Sequence, residues 1–275
     1  MSMKKKKKYR DILLQLPRLL LVCSVVTAGV TGILISCYYI PVPDRAAGSL
    51  DYINEQVFAG AMILSIHRLS GVFALLFTLC NLLIILPAEN ISASWWKIWR
   101  SGLIICITLT GLQISGYILT GSVSAAHLLK AILTGIFKTG NGSAALPQLP
   151  DSLSFAFMRV HVLHAIILPA LTGWFLYHHV QSMKQVHSEF KPFPLPPLVV
   201  YAFFCTVAVI AAFFISESPE PVGTYGDPLF AHAPWSVSFL LSVRRVLPLS
   251  VTIPAGILLF ILLWFFGLFF KRLKT

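Results

Sequence analysis

Charge is what this sequence has least of. Asp, Glu, Lys and Arg make up 11% of its 275 residues, where an ordinary soluble domain carries about a quarter. With 57% of residues hydrophobic and apolar runs recurring along the whole chain, a soluble globular fold is excluded and a polytopic membrane protein remains. Acids are scarcer than bases, ten against 21, and the net charge of +11 would suit nucleic acid if the basic residues formed a patch. They do not. Lys4 to Lys8 with Arg10 precede the first apolar run, and Lys271, Arg272 and Lys274 follow the last. That distribution fixes topology across a bilayer, so membrane lipids are expected as partners and nucleic acid is not. Cys23, Cys37, Cys80, Cys106 and Cys205 never form CxxC or CxxCH, which excludes covalent cofactor attachment and leaves them as small packing residues. Also missing are an internal repeat and a visibly broken span, the marks of a transporter site. The first span lacks a small-residue cleavage site and is too long for a removable signal.

What is there is a set of six spans, at roughly 12–39, 58–87, 98–119, 155–182, 197–216 and 249–270. The amino terminus, the second link (Lys97, Arg100), the fourth link (Lys184, Lys191) and the carboxyl terminus are basic. Asp44, Asp51, Glu55, Glu217, Glu220 and Asp227 gather in the first and last links. Both termini are therefore expected on the cytoplasmic side of a cell inner membrane. SAAHLLKAILTGIF has a helical apolar stripe too short to span and is expected along the outer interface. The stiff KPFPLPP linker divides the chain into a front part, 1–190, and a rear part, 191–275.

The stretch HVLHAIILPALTGWFLYHH, residues 161–179, places four histidines in the fourth span. His67 and His164 each lie about nine residues into spans that run in the same direction, so their imidazoles share a depth near the outer face. Two neutral imidazoles facing each other across a bundle can supply both axial ligands of a haem iron. His179 lies fifteen residues after His164, about 22 Å lower and within about 60° of the same side, which suits a second, stacked haem. Histidines that merely hydrogen-bond neighbouring helices are the alternative. Gly32, Gly102 and Gly116 fall at depths where a macrocycle edge would meet the first and third spans, and a position without a side chain permits that approach.

These residues carry a family likeness. CYYIPVPDRAAGSLDYI, SIHRLSG, LQISGYIL and RVHVLHAIILPALT make the chain, from about residue 28 to 260, resemble the cytochrome b of quinol–cytochrome c reductases and photosynthetic quinol complexes. The front four helices of that protein would be fused to a shortened rear part. His67-Arg68 matches the family's His-Arg, and Arg159, His164, Pro169 and His179 match its fourth-helix pattern. The resemblance implies an all-α integral membrane fold, a four-helix haem-binding transmembrane bundle plus two further transmembrane helices. It implies haem b ligated by His67 and His164, with Arg68 near the propionates and Gly32 and Gly116 bordering the haem. His161 and His178 would only pack. A c-type cytochrome or iron–sulfur subunit on the outer side, a membrane quinone and a homodimeric assembly are the implied partners.

Three departures bear on mechanism. Asn81 stands where the family has its second histidine of this helix, fourteen residues after His67, and a carboxamide is a poor ligand for haem iron. Arg18 stands fourteen residues before Gly32, where the family keeps a glycine. The inner haem is thus either absent or held by His179 alone, with Gly102 beside it. The quinol-oxidation glutamate is missing as well, its stretch aligning with Ala233, Pro234, Trp235 and Ser236; His232 is a substitute proton acceptor. Quinone use is better placed on the inner side, near Lys184. The function expected is that of a b-type cytochrome membrane subunit of a respiratory electron-transfer complex. A degenerate cytochrome b serving as a membrane anchor or assembly subunit is the alternative.

Overall fold

The computed structural model describes residues 3–85, 93–122, 149–186, 195–215 and 256–265, with a few positions between 125 and 132. The described residues are helical apart from short turns. Eight helices are α1 (Met3–Ser36), α2 (Pro43–Gln56), α3 (Gly60–Ile85), α4 (Ala93–Ile118), α5 (Leu149–Val162), α6 (Leu168–Val186), α7 (Pro197–Ile215) and α8 (Gly256–Phe265). Four stretches are long and apolar enough to cross a membrane: Gln15–Ser36, Gly60–Ile85, Trp95–Ile118 and Ser154–Met183. They coincide with the first four expected spans. α7 and α8 lie within the fifth and sixth but are shorter apolar helices. The proposed division near residue 190 falls outside the described residues, as do His232, Ala233, Pro234, Trp235, Ser236 and the side chain of Lys184.

The link after α1 contains a helix that composition hides. Pro43 opens α2 in the first turn, where its missing N–H costs nothing. Ala46, Ser49 and Ile53 then recur on one face and are buried. A Cβ at Gly60 would run into the Ile53 carbonyl, so only glycine permits this close approach of α3 to α2.

In the bundle, α1 packs mainly on α3, α4 on α6, and α3 on α4, while α7 lies against α1 and α3. Several hydroxyls within the spans find acceptors on their own helix: Ser24 donates to Leu20 O, Thr78 to Ala74 O and Thr110 to Cys106 O. No water competes there, so local carbonyls are the natural partners. Leu21, Ala74, Leu75, Ile105, Leu109 and Leu176 form a layer to which all four spanning helices contribute. In each helix these residues fall between an upper and a lower position of interest: Gly32 and Arg18, His67 and Asn81, Gly116 and Gly102, His164 and His179.

The fourth spanning helix is interrupted by a wider turn. Leu163–Ile167 form a π segment between α5 and α6, and the Leu168 N–H donates to Leu163 O, five residues back. Pro169 accounts for it. Its ring clashes with the carbonyl four residues earlier, Ala165, and it has no N–H to offer, so the helix widens just upstream. One extra residue is taken up there. Fifteen residues of regular helix would leave His179 about 60° from His164 on one side, whereas fourteen leave about 40° on the other. The π turn makes fifteen residues behave as fourteen. The ladder from His164 to His179 therefore matches the fourteen-residue steps of His67 to Asn81 and Gly116 to Gly102.

Candidate functional site

His67 on α3 and His164 in the π segment face each other across the bundle. Their ring centroids are 6.3 Å apart and their planes are inclined at 70°. The Nδ1 of His67 lies 3.0 Å from Ala28 O and 3.2 Å from Thr31 Oγ1, both on α1. Thr31 already donates its proton to Thr27 O at 2.7 Å. The imidazole must then be the donor, which fixes the N–H on Nδ1 and leaves the Nε2 lone pair free. His164 repeats the arrangement on α4. Its Nδ1 is 2.9 Å from Ser115 Oγ, and Ser115 donates to Gly111 O at 2.7 Å. Two imidazoles thus present unprotonated Nε2 atoms, each held by a partner on its far nitrogen, as metal-ligating histidines are.

The separation suits one metal between them. Two metal–nitrogen bonds of about 2.0–2.1 Å, plus roughly an ångström from each nitrogen to its ring centre, span about the distance observed. Among the described residues no group of three or more His, Cys, Asp or Glu could hold a metal ion by itself. A pair of imidazoles on facing helices instead matches an iron whose four equatorial bonds come from a macrocycle.

The structure sets two of the glycines against the imidazoles. A Cβ at Gly32 would fall 3.0 Å from His67 Cε1, and one at Gly116 would fall 2.9 Å from His164 Cε1. An imidazole edge therefore lies beside each of these two glycines. Arg68 is exposed on α3 beside His67. His161 is half-buried, with its ring 5.6 Å from that of Tyr39. His178 is exposed and packs against Trp174 and Tyr177 on its own helix.

The lower level holds one histidine in the same manner. His179 is wholly buried, and its Nδ1 lies 2.9 Å from Ser101 Oγ. Ser101 donates to Ile98 O at 3.0 Å, so His179 is again the donor through Nδ1. Its Nε2 is buried without a hydrogen-bond partner. A Cβ at Gly102 would sit 2.7 Å from Leu82 Cδ2 and 3.5 Å from His179 Cε1. Asn81 is buried, and its amide donates to Phe77 O on its own helix at 2.8 Å. Arg18 is half-buried within electrostatic reach of His179.

Three holding residues, Thr31, Ser101 and Ser115, escaped sequence reasoning. A signal was there: each directly precedes one of the glycines, as Thr31-Gly32, Ser101-Gly102 and Ser115-Gly116. His67, His164 and His179 each meet a hydroxyl and a glycine that are neighbours in sequence.

Comparison with known proteins agrees with this geometry. Residues 10–187 match the family model Cytochrome b/b6/petB. The chain is 27% identical over 154 residues to a cytochrome b6 of Heliobacterium mobile, covering 54% of this chain and 72% of that protein. It is likewise 27% identical over 169 residues to a cytochrome b6 of Heliobacterium modesticaldum (strain ATCC 51547 / Ice1), covering 58% and 77%. A solved structure described as a hyperthermophilic respiratory Complex III shares the fold, with a TM-score of 0.68 at 16% identity over 93% of this chain and 75% of that one. Four apolar spanning helices, the family match and the shared fold lead to one assignment: this chain is a multi-pass membrane protein of the cytochrome b family.

Proposed function

We propose that this chain is the b-type cytochrome membrane subunit of a respiratory electron-transfer complex, with haem b held between His67 and His164. The observation that carries this reading is the facing pair of imidazoles, 6.3 Å apart, each with its Nδ1 engaged by a neighbouring helix. Haem supplies a one-electron carrier at that point. The chain's own residues orient the two rings, fix their tautomers and exclude water through the apolar layer around Leu21 and Ile105. Arg68, exposed beside His67, is the cation for the propionates. With both termini on the cytoplasmic side this site lies near the outer face, where a c-type cytochrome or iron–sulfur subunit would exchange electrons with it. A membrane quinone is the second expected exchange partner. The resemblance to a respiratory Complex III chain supports membership of such an assembly.

Optical redox titration of the purified complex tests this. A low-spin bis-imidazole haem is expected, lost in His67→Ala and in His164→Ala while the chain still inserts in the membrane. A normal bis-imidazole spectrum in either variant would overturn the ligand assignment. One observation favours the second reading, an anchor or assembly subunit: Asn81 and Arg18 stand where a through-membrane relay needs a ligand and a small residue. A wild-type complex with no haem in this chain would select it.

A further inference from the structure

Two groups at the lower level lack the partner their chemistry demands. The Nε2 of His179 is a lone-pair acceptor, wholly buried and with no donor. Leaving such a group unsatisfied is costly, and the neighbouring residues do nothing to relieve it. Asn81 turns its amide back to Phe77 O, and Ser101 spends its proton on Ile98 O. Arg18 is the second. It is a half-buried guanidinium in a spanning segment, and the four spans contain no Asp or Glu to pair with it. A buried cation ordinarily has a paired anion.

One ligand class answers both. A metalloporphyrin brings a Lewis-acidic iron for the lone pair and a carboxylate for the cation. The hydroxyl that holds His179 repeats the one seen at the upper level, and Gly102 lies alongside the ring with Leu82 as its tighter neighbour. The π turn keeps His179 and Asn81 in register with His164 and His67. Only the opposing ligand is missing, and a carboxamide is a poor substitute for imidazole on iron.

We propose that the His179 level takes an iron porphyrin through a single protein ligand. Its Asn81 side is left open to a small exogenous ligand such as carbon monoxide, and Arg18 pairs with a propionate. This rests on the family reading above and adds to it a site that binds ligands rather than only relaying electrons. His179 is the ligand; Arg18 is a positioning residue.

The test is a haem-to-chain ratio with carbon monoxide difference spectra on the reduced, purified complex. Two haems per chain are expected, one low-spin and unreactive, the other high-spin and binding carbon monoxide one to one. His179→Ala should halve the haem and remove the carbon monoxide signal. His67→Ala should remove the low-spin signal and leave the carbon monoxide signal. Asn81→His should keep two haems, abolish carbon monoxide binding and convert the second to low spin, which mere loss of structure could not do. Arg18→Gln should keep the carbon monoxide adduct but lower the midpoint potential of that haem alone. One low-spin haem per chain with no carbon monoxide adduct would overturn the inference and leave the His67–His164 site standing. No haem at all would overturn both, and a carbon monoxide adduct that persists in His179→Ala would overturn the ligand.

Discussion

The two ends of the bundle were built to one plan and have diverged at one corner each on α1 and α3. At the upper end, Gly32 and Gly116 seat His67 and His164 against the helices that hold them. At the lower end α4 and α6 keep the same arrangement with Ser101, Gly102 and His179, while α3 offers Asn81 and α1 offers Arg18. The comparison separates two tasks. Holding an imidazole is done by the helix next to it; on the proposed function, completing a metal site falls to the helix across from it. One can be lost while the other persists.

Substitutions can break that comparison in graded steps. The largest effect is expected from ligand removal. His164→Ala should abolish the low-spin haem signal, whereas His179→Ala should leave it intact, read by optical and electron paramagnetic resonance spectra. Next come the hydroxyls. Ser115→Ala removes the hydroxyl partner of His164 Nδ1, leaving the backbone of Leu112, and loss of such a partner costs about 10–100-fold in metal affinity. Thr31→Val should cost a similar factor in a haem-retention assay, because Ala28 O still accepts from His67 at 3.0 Å as the Leu112 backbone does from His164. The glycines follow. Gly116→Ala puts a methyl 2.9 Å from His164 Cε1 and should shift the midpoint potential more than Gly32→Ala, where the ring is 3.0 Å away. Smallest of all is the effect of pH on the upper rim. Tyr39 lies just beyond the first span, its hydroxyl donating to Leu119 O at 2.6 Å, and burial pushes its phenol above the ordinary tyrosine range. The folded state then holds that proton more tightly than the unfolded one. Its contribution to stability is whole below pH ~10 and declines only above it. Thermal melts of wild type and Tyr39→Phe should therefore differ by about 1 kcal/mol and run parallel from pH 6 to 9.

Much of this was legible in the sequence. Low charge and long apolar runs gave six expected spans, four of which are long enough to cross a membrane among the described residues, and the positions of His67 and His164 gave the facing pair. The likeness to cytochrome b led to the family that the comparisons bear out. What stayed hidden was local. α2 reads as a polar link because half its surface faces outward, and only Ala46, Ser49 and Ile53 mark its buried face. Thr31, Ser101 and Ser115 were overlooked because a hydroxyl in a spanning helix ordinarily does no more than bond to its own backbone, as Thr78 and Thr110 do here. Their second role depends on which ring the neighbouring helix brings alongside. The contact of Gly32 and Gly116 with the imidazoles was hidden for the same reason, since spacing along one helix does not say which ring of the next helix comes alongside.

Pro169 has a consequence for how this chain tolerates changes in length. The widened coil beside it stores a single surplus position. If Pro169 itself were deleted, the coil could tighten to ordinary pitch and bring the lower imidazole back to Ser101 unchanged. An insertion between Pro169 and His179 has no such slack to draw on and would swing that ring toward the lipid.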